Sequence, residues 1–281
     1  MKAEKLILDG NRVAANMKEK LAGQINRLSE KGIVPCLATI LVGDDPSSAT
    51  YVRMKGNACK RLGIHSVRVD LPSNTTTYEL IAAINKLNDD PNIHGILLQH
   101  PVPHPIDERA AFEAIRIDKD VDGVTTQGFA QNAFGFADYP SCTPAAIIGI
   151  LEYYNIPIEG KHAVVIGRSP ILGKPVSAML LNKNATVTTC HSKTANLDNI
   201  VRLGDIVVAA VGKPKFVQGD WIKPGAIVVD AGYNKGNFGD VDYDACLKNA
   251  YAITPVPAGV GPVTIATLLK HTVEAAEKFG Y

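Results

Sequence analysis

His162-Ala163-Val164-Val165-Ile166-Gly167-Arg168-Ser169-Pro170-Ile171-Leu172-Gly173-Lys174-Pro175 is the stretch on which the fold turns. Four consecutive apolar residues, Ala163 to Ile166, run into a glycine, and a helical pattern follows near 174–182. A short, continuously apolar run that stops at a turn signal marks a strand covered on both faces, hence a parallel sheet flanked by helices. Backbone N–H groups at the start of the next helix can hold a phosphate, and glycine lets the anion come close. The spacing departs from G-x-G-x-x-G, so this stretch alone is balanced between an ordinary strand–helix turn and a pyrophosphate site.

Working outward, strands are expected at 185–190, 205–211 and 226–230, a short one at 251–254, and a helix from Thr264 to Phe279. Thr143-Pro144 opens a helix that runs to Tyr154. Upstream, Val13, Met17, Leu21, Ile25 and Leu28 recur at helical spacing, which predicts a helix over 10–31. Cys36 to Val42 reads as a buried strand. Asp45-Pro46 then serves as N-cap and first-turn proline of a helix that ends at Leu62-Gly63. A strand over Ile64–Leu71, a capping box at Thr76–Glu79 with its helix to Leu87, a strand over Ile93–Leu98 and a helix over 107–115 complete the series. Residues 123–142 have weak periodicity and are read as the crossing between domains.

Two α/β series imply two doubly wound α/β lobes flanking a cleft, with a Rossmann-like dinucleotide-binding lobe at the C-terminal side. Ligands in such sheets sit at the carboxyl ends of strands, so that edge is where chemistry is expected.

The chain has 281 residues, a length that suits two cores. Its net charge of +1 argues against a nucleic-acid or membrane surface. No run approaches the roughly 20 apolar residues of a membrane span, and Met1 to Lys5 lead into no signal-like segment. The five cysteines are dispersed and odd in number, which reads as reduced thiols in a cytoplasmic protein. The seven histidines form no H-x-x-x-H or Cys/His cluster, so no metal site is expected.

Arg168 follows the first glycine of the turn, and the next strand, Thr186 to Cys190, ends in His191-Ser192. In a dinucleotide fold that strand end meets the adenosine ribose, where a carboxylate suits the free 2′-hydroxyl and an arginine or hydroxyl suits a 2′-phosphate. No acid stands here, which favours NADP over NAD. In the first lobe, Tyr51 and Lys55 lie four residues apart on one helical face. Gln99 ends the strand Gly95 to Leu98, and Lys119-Asp120-Val121-Asp122-Gly123 carries two carboxylates. Singly these are a solvated lysine, a capping amide and a turn; together they offer a general acid/base, its tuner and a recognition carboxylate.

The chain resembles the bifunctional methylenetetrahydrofolate dehydrogenase/methenyltetrahydrofolate cyclohydrolase family over essentially its whole length. Five segments carry the resemblance in the family's order: Tyr51-Val52-Arg53-Met54-Lys55, Gly95 to Pro101, Lys119 to Gly123, Gly167-Arg168-Ser169 through Pro175, and Pro255 to Pro262. The resemblance implies that Lys55 is the catalytic lysine of the cyclohydrolase step, that Gln99 tunes it, that Tyr51 stacks on the folate and that Asp122 accepts from the pterin edge. Pro257 and Gly259 are implied substrate contacts. Gly167, Arg168, Ser169, Gly173, Ser192, Val211 and Gly212 are implied NADP contacts. The implied division is a folate-binding catalytic domain over 1–142, completed by the helix 264–281, and an NADP-binding domain over 143–263. A homodimer and a place in one-carbon supply for purine biosynthesis are implied as well.

Three positions depart from the family pattern. His100 stands where leucine is usual and is read as filling space. Val124 to Ala130 lack the usual Asn-x-Gly-x-Leu pattern. Ala258 replaces the first glycine of a Gly-Gly pair, which strains the loop if that position needs positive φ. Two alternatives to the bifunctional enzyme stay open at this point: a monofunctional dehydrogenase in which Lys55 only positions folate, and a non-enzymatic nucleotide sensor.

Overall fold

The computed structural model describes residues 5–279. The expectations for Met1 to Glu4 and for the last two residues of the 264–281 helix fall outside the described residues. Along the chain, β1 (Leu6–Ile7) and α1 (Gly10–Glu30) precede β2 (Cys36–Val42), α2 (Pro46–Leu62), β3 (His65–Leu71), α3 (Thr77–Asp89), β4 (Gly95–Leu98) and α4 (Glu108–Glu113). Next come α5 (Thr126–Phe134), α6 (Cys142–Tyr153), β5 (His162–Ile166), α7 (Gly173–Asn182), β6 (Thr186–Cys190) and α8 (Leu197–Val201). The chain ends with β7 (Ile206–Ala209), β8 (Ile227–Asp230), α9 (Tyr243–Leu247), β9 (Ala252–Ile253) and α10 (Val260–Phe279).

Two compact units result. One holds the residues up to Ala15, Gln131–Ala137 and Thr143–Thr264; the other holds Asn16–Ala130, Asp138–Cys142 and the segment from Ile265 onward. The expected boundaries differ from this at two places. Residues before Asn16 fall with the larger sheet because Leu6 and Ile7 pair with Ala252 and Ile253. The crossing near 123–142 is not irregular: α5 forms there, and the chain changes unit between Ala130 and Gln131, again between Ala137 and Asp138, and again between Cys142 and Thr143.

The first unit is built on a parallel six-stranded sheet of order β1-β9-β8-β7-β5-β6. From β5 the chain moves to one side for β6 and returns to the other for β7. The carboxyl ends of β5 and β7 therefore meet at the point where strand order reverses, the usual ligand edge of such sheets. Strands β5, β7 and β8 are buried along nearly their full length, which is why they read as unbroken apolar runs rather than as alternation.

The second unit has a three-stranded parallel sheet, β3-β2-β4, with the same reversal about its first strand. Leu21, Ile25 and Leu28 of α1 and Leu268, Leu269, Val273 and Ala276 of α10 cover it in a single core with Leu37 and Leu97. Each fully buried leucine of that kind contributes about 1.5–3 kcal/mol through area removed from water. Gly95 is required at the start of β4, where a Cβ would sit 2.6 Å from the Val121 side chain. All five cysteines are buried free thiols.

Candidate active site

In the three-stranded unit, α2 presents Tyr51 and Lys55 one turn apart. Its start is set by Asp45, whose carboxylate accepts from Ser48 N at 2.7 Å, and its end by Gly63 at φ 75°. Gln99 follows β4, with its backbone N–H on Ile40 O of β2 at 2.9 Å. It thus sits at the reversal point of the small sheet. The Lys55 Nζ donates to Gln99 Oε1 at 3.0 Å, and Gln99 Nε2 donates to His100 O at 2.8 Å. The second bond settles the amide's orientation, because only its nitrogen can serve a carbonyl.

Burial lowers the Lys55 pKa, opposed by the attraction of Asp122 and then of Cys142. The gain of a neutral partner is physical: a carboxylate at Gln99 would hold the ammonium charged, whereas an amide leaves the amine free to exchange a proton. Cys142 completes the group. Its thiol is 3.2 Å from Val121 O, and its backbone N–H donates to Asp122 O at 3.2 Å. Burial, and after it the charge of Asp122, raises the thiol's pKa well above the ordinary range. Cys142 was invisible as a site residue in the sequence, where a lone cysteine carries no signal.

The carboxylates of Asp120 and Asp122 have different fates. Asp120 is buried and accepts from Val124 N at 3.0 Å and Thr125 N at 2.9 Å, so it shapes the entry to α5. Burial raises its pKa against those bonds. Lys119 turns away as well, and its ammonium donates to Leu87, Asn88 and Asp90 carbonyls at the end of α3. Of the two carboxylates, Asp122 is the one that acts on Lys55. The Val124–Ala130 segment, atypical in sequence, begins α5 with the Thr125 hydroxyl accepting from Gly128 N at 2.9 Å. His100 does not fill core space. It is exposed, and its Nδ1 lies 2.7 Å from Glu108 Oε2, which also accepts from Val102 N.

In the six-stranded unit the glycine turn after β5 is shaped by contact. Gly167 has φ 133°, and a Cβ there would lie 2.1 Å from Ala210 O, beyond β7. A Cβ on Gly173 would lie 2.3 Å from Gly167 O. Ser169 Oγ accepts from Gly173 N at 3.3 Å, at the start of α7. Arg168 and Ser192 are both exposed, at the ends of the neighbouring strands β5 and β6. Val211 and Gly212 follow β7, with Gly212 at φ 65°. Tight glycines at adjacent strand ends, an arginine and no acid at the end of β6 fit a phosphorylated dinucleotide.

In the loop from Pro255 to Pro262, Ala258 adopts φ 82°, so the expected strain is present. Gly10 N donates to Ala258 O at 2.7 Å, and a Cβ on Gly10 would overlap Gly259 O at 1.7 Å. Left-handed backbone costs a non-glycine residue about 1–2 kcal/mol. Ala258→Gly is therefore expected to raise the thermal midpoint of this unit, by roughly 1 kcal/mol of stability. Tryptophan fluorescence of Trp221 during heating measures it, and an unchanged or lower midpoint would contradict a strained alanine.

The geometry defines an α/β enzyme with a dinucleotide-type strand edge in one unit and a tuned lysine in the other. The chain belongs to the tetrahydrofolate dehydrogenase/cyclohydrolase family: its catalytic domain matches residues 8–122 and its NAD(P)-binding domain matches residues 141–279. The bifunctional protein FolD of Shouchella clausii is 72% identical over 276 residues, covering 98% of this chain and 99% of that protein. The crystal structure of the bifunctional FolD dehydrogenase/cyclohydrolase from Campylobacter jejuni is 44% identical with a TM-score of 0.95, covering 98% and 99%. FolD from Trypanosoma brucei, solved with NADP cofactor and inhibitor, is 37% identical with a TM-score of 0.94 and 98% coverage of each chain. As a member, this protein is a dehydrogenase and a cyclohydrolase of folate one-carbon metabolism. Among the described residues no helix is long and apolar enough to cross a membrane, and no His, Cys, Asp or Glu group is placed to hold a metal ion.

Proposed function

We propose that Lys55 is the acid/base of ring opening and that the six-stranded unit holds the nicotinamide cofactor of the oxidation. The substrate is 5,10-methylenetetrahydrofolate, which is oxidised with NADP to the methenyl form and then hydrolysed to 10-formyltetrahydrofolate. NADP, when bound, supplies the hydride acceptor. The observation that carries the reading is the 3.0 Å bond from Lys55 to a neutral amide whose other end is fixed. An ordinary lysine titrates near about 10.4 and stays charged at neutral pH. Burial shifts Lys55 downward, so its amine can take a proton from attacking water and return it to the departing nitrogen.

Tyr51 stacks on the folate rings, Asp122 accepts from the pterin edge, and Pro257 and Gly259 supply further substrate contacts. Gly167, Ser169, Gly173, Val211 and Gly212 hold the dinucleotide, with Arg168 and Ser192 on the 2′-phosphate. The protein works as a cytoplasmic homodimer that supplies one-carbon units for purine biosynthesis. Light scattering in solution tests the dimer.

The cofactor assignment has its own test. Ser192→Asp places an acid at the end of β6 and is expected to raise KM for NADP by about tenfold or more while leaving KM for NAD within about twofold. The assay is methenyl-folate absorbance with each nucleotide. Equal changes for both nucleotides would remove Ser192 from the 2′-phosphate.

A further inference from the structure

Asp240 lies outside every segment assigned above, yet it is fully buried at 0% exposure. Its Oδ2 accepts from the backbone N–H groups of Val211 at 2.6 Å and Gly212 at 2.9 Å. Its Oδ1 accepts from Lys213 N at 2.9 Å and from Asn234 Nδ2 at 3.0 Å. Three successive N–H groups converge on one carboxylate because Gly212 takes the left-handed conformation, φ 65°. No lysine or arginine pairs with this carboxylate among the described residues. Its oxygens are satisfied by the 211–213 backbone N–H groups and the Asn234 amide.

A second carboxylate supports the first. Asp230, the last residue of β8, accepts from Asp240 N and Gly232 N, each at 2.9 Å, and from Val241 N at 3.0 Å. The strand end thereby fixes the backbone at 240–241, and Asp240 in turn fixes the backbone at 211–213. Two glycines make room for this stack. A Cβ on Gly232 would lie 2.2 Å from the Asp240 carboxylate, and one on Gly239 would lie 1.9 Å from that of Asp230.

We propose that Asp240 is a positioning residue for the cofactor, holding the Val211–Lys213 segment in its binding shape with Asp230 as its support. The inference rests on the reading that Val211 and Gly212 touch NADP. The segment follows β7, next to β5 at the strand reversal, and Gly167 already abuts the residue just before it, Ala210. An asparagine at 240 keeps the shape but retains one oxygen only, and its NH₂ faces N–H donors. The bonds that close the segment then become unfavourable on one side.

The test is Asp240→Asn, with NADP affinity measured by calorimetric titration alongside both activities. The expected result is a rise of about tenfold in the Kd and KM for NADP. The hydrolysis of methenyl-tetrahydrofolate needs no nicotinamide, and it is expected to stay within about twofold of wild type, since Lys55 and Gln99 belong to the other unit. An unchanged Kd overturns the proposal. So does parallel loss of NADP binding and hydrolysis, which indicates a purely structural role. Gly212→Val separates this inference from the reading beneath it. If Gly212→Val weakens NADP binding and Asp240→Asn does not, the cofactor reading stands and the positioning role falls. If neither weakens it, both fall. Should Asp240→Asn not accumulate as folded protein, Asn234→Ala decides. It keeps the carboxylate and removes one bond, so a raised Kd supports the role and an unchanged one overturns it.

Discussion

Lys55→Met abolishes the hydrolysis of methenyl-tetrahydrofolate, with an expected loss of about 10²–10⁴-fold, the range a general acid/base supplies. Methionine keeps the length and apolar contacts of the side chain, so α2 and its packing persist. What disappears is the amine that Gln99 holds at 3.0 Å. Oxidation of the methylene form requires no proton from this position: hydride departs from the methylene carbon and the charge stays on the folate. The variant is therefore expected to form the methenyl product with NADP and to accumulate it, visible as a rising absorbance that does not decay. Retention of full hydrolysis would remove the lysine from the mechanism. Gln99→Glu approaches the same point from the other side. A carboxylate there holds the ammonium charged, so hydrolysis should fall at neutral pH and recover toward higher pH, where the amine is released.

The sequence was most legible where a segment's fate depends on its own residues. Cys36–Val42 and Ala163–Ile166 read as buried strands because each is covered on both faces, and the Thr76–Glu79 capping box stands as read, with Thr76 N on Glu79 Oε2 at 2.8 Å and Glu79 N on Thr76 Oγ1 at 3.2 Å. It was least legible where a distant partner decides. Leu6–Ile7 is a two-residue strand whose existence depends on Ala252–Ile253, some 246 positions away, and no local pattern announces it. α5 was missed because glycine, glutamine and alanine blur its periodicity, while its start is organised by Asp120 from before the segment. α10 begins at Val260, earlier than Thr264, since Gly261 and Pro262 are tolerated in a first turn.

The site shows the same division. The spacing of Tyr51 and Lys55 implies a shared helical face, but that Gln99 rather than a carboxylate meets the lysine is a tertiary fact. In Asp120-Val121-Asp122 the two acids look equivalent on paper. One is taken up by backbone N–H groups and the other acts on Lys55. Asp240 gave no signal at all, because three of its four partners are backbone donors 27 to 29 residues earlier, and backbone donors leave no mark in a sequence.

Acid is expected to weaken the three-stranded unit through His271 before it affects the other unit's sheet. His271 is buried in α10, with Nδ1 2.9 Å from Val121 O and 3.6 Å from the Cys142 thiol, and its ring packs near Tyr139. The carbonyl requires a proton on Nδ1, so the neutral ring satisfies this contact and a second proton gains no new acceptor among these groups. Burial lowers its pKa from 6.5 to about 4, assisted by the charge of Lys270 and opposed by the Val121 bond. The folded value lies below the unfolded one, so the unfolded chain binds the proton first. The associated stability is complete above about pH 6.5 and is lost as pH falls toward about 4, to a total of about 3 kcal/mol. His271→Gln keeps a donor for Val121 O and removes the titration. The measurement is hydrogen exchange of β2 and β4 amides at pH 7, 6 and 5, corrected for intrinsic rates, with β7 and β8 amides as the reference. Wild type should lose protection in β2 and β4 as pH falls, and the variant should lose distinctly less despite a lower starting stability, the remaining loss coming from His94, whose Nδ1 accepts from Cys36 N at 3.1 Å and whose pKa burial also lowers. A variant that loses protection as steeply as wild type would place the acid sensitivity elsewhere than in this imidazole.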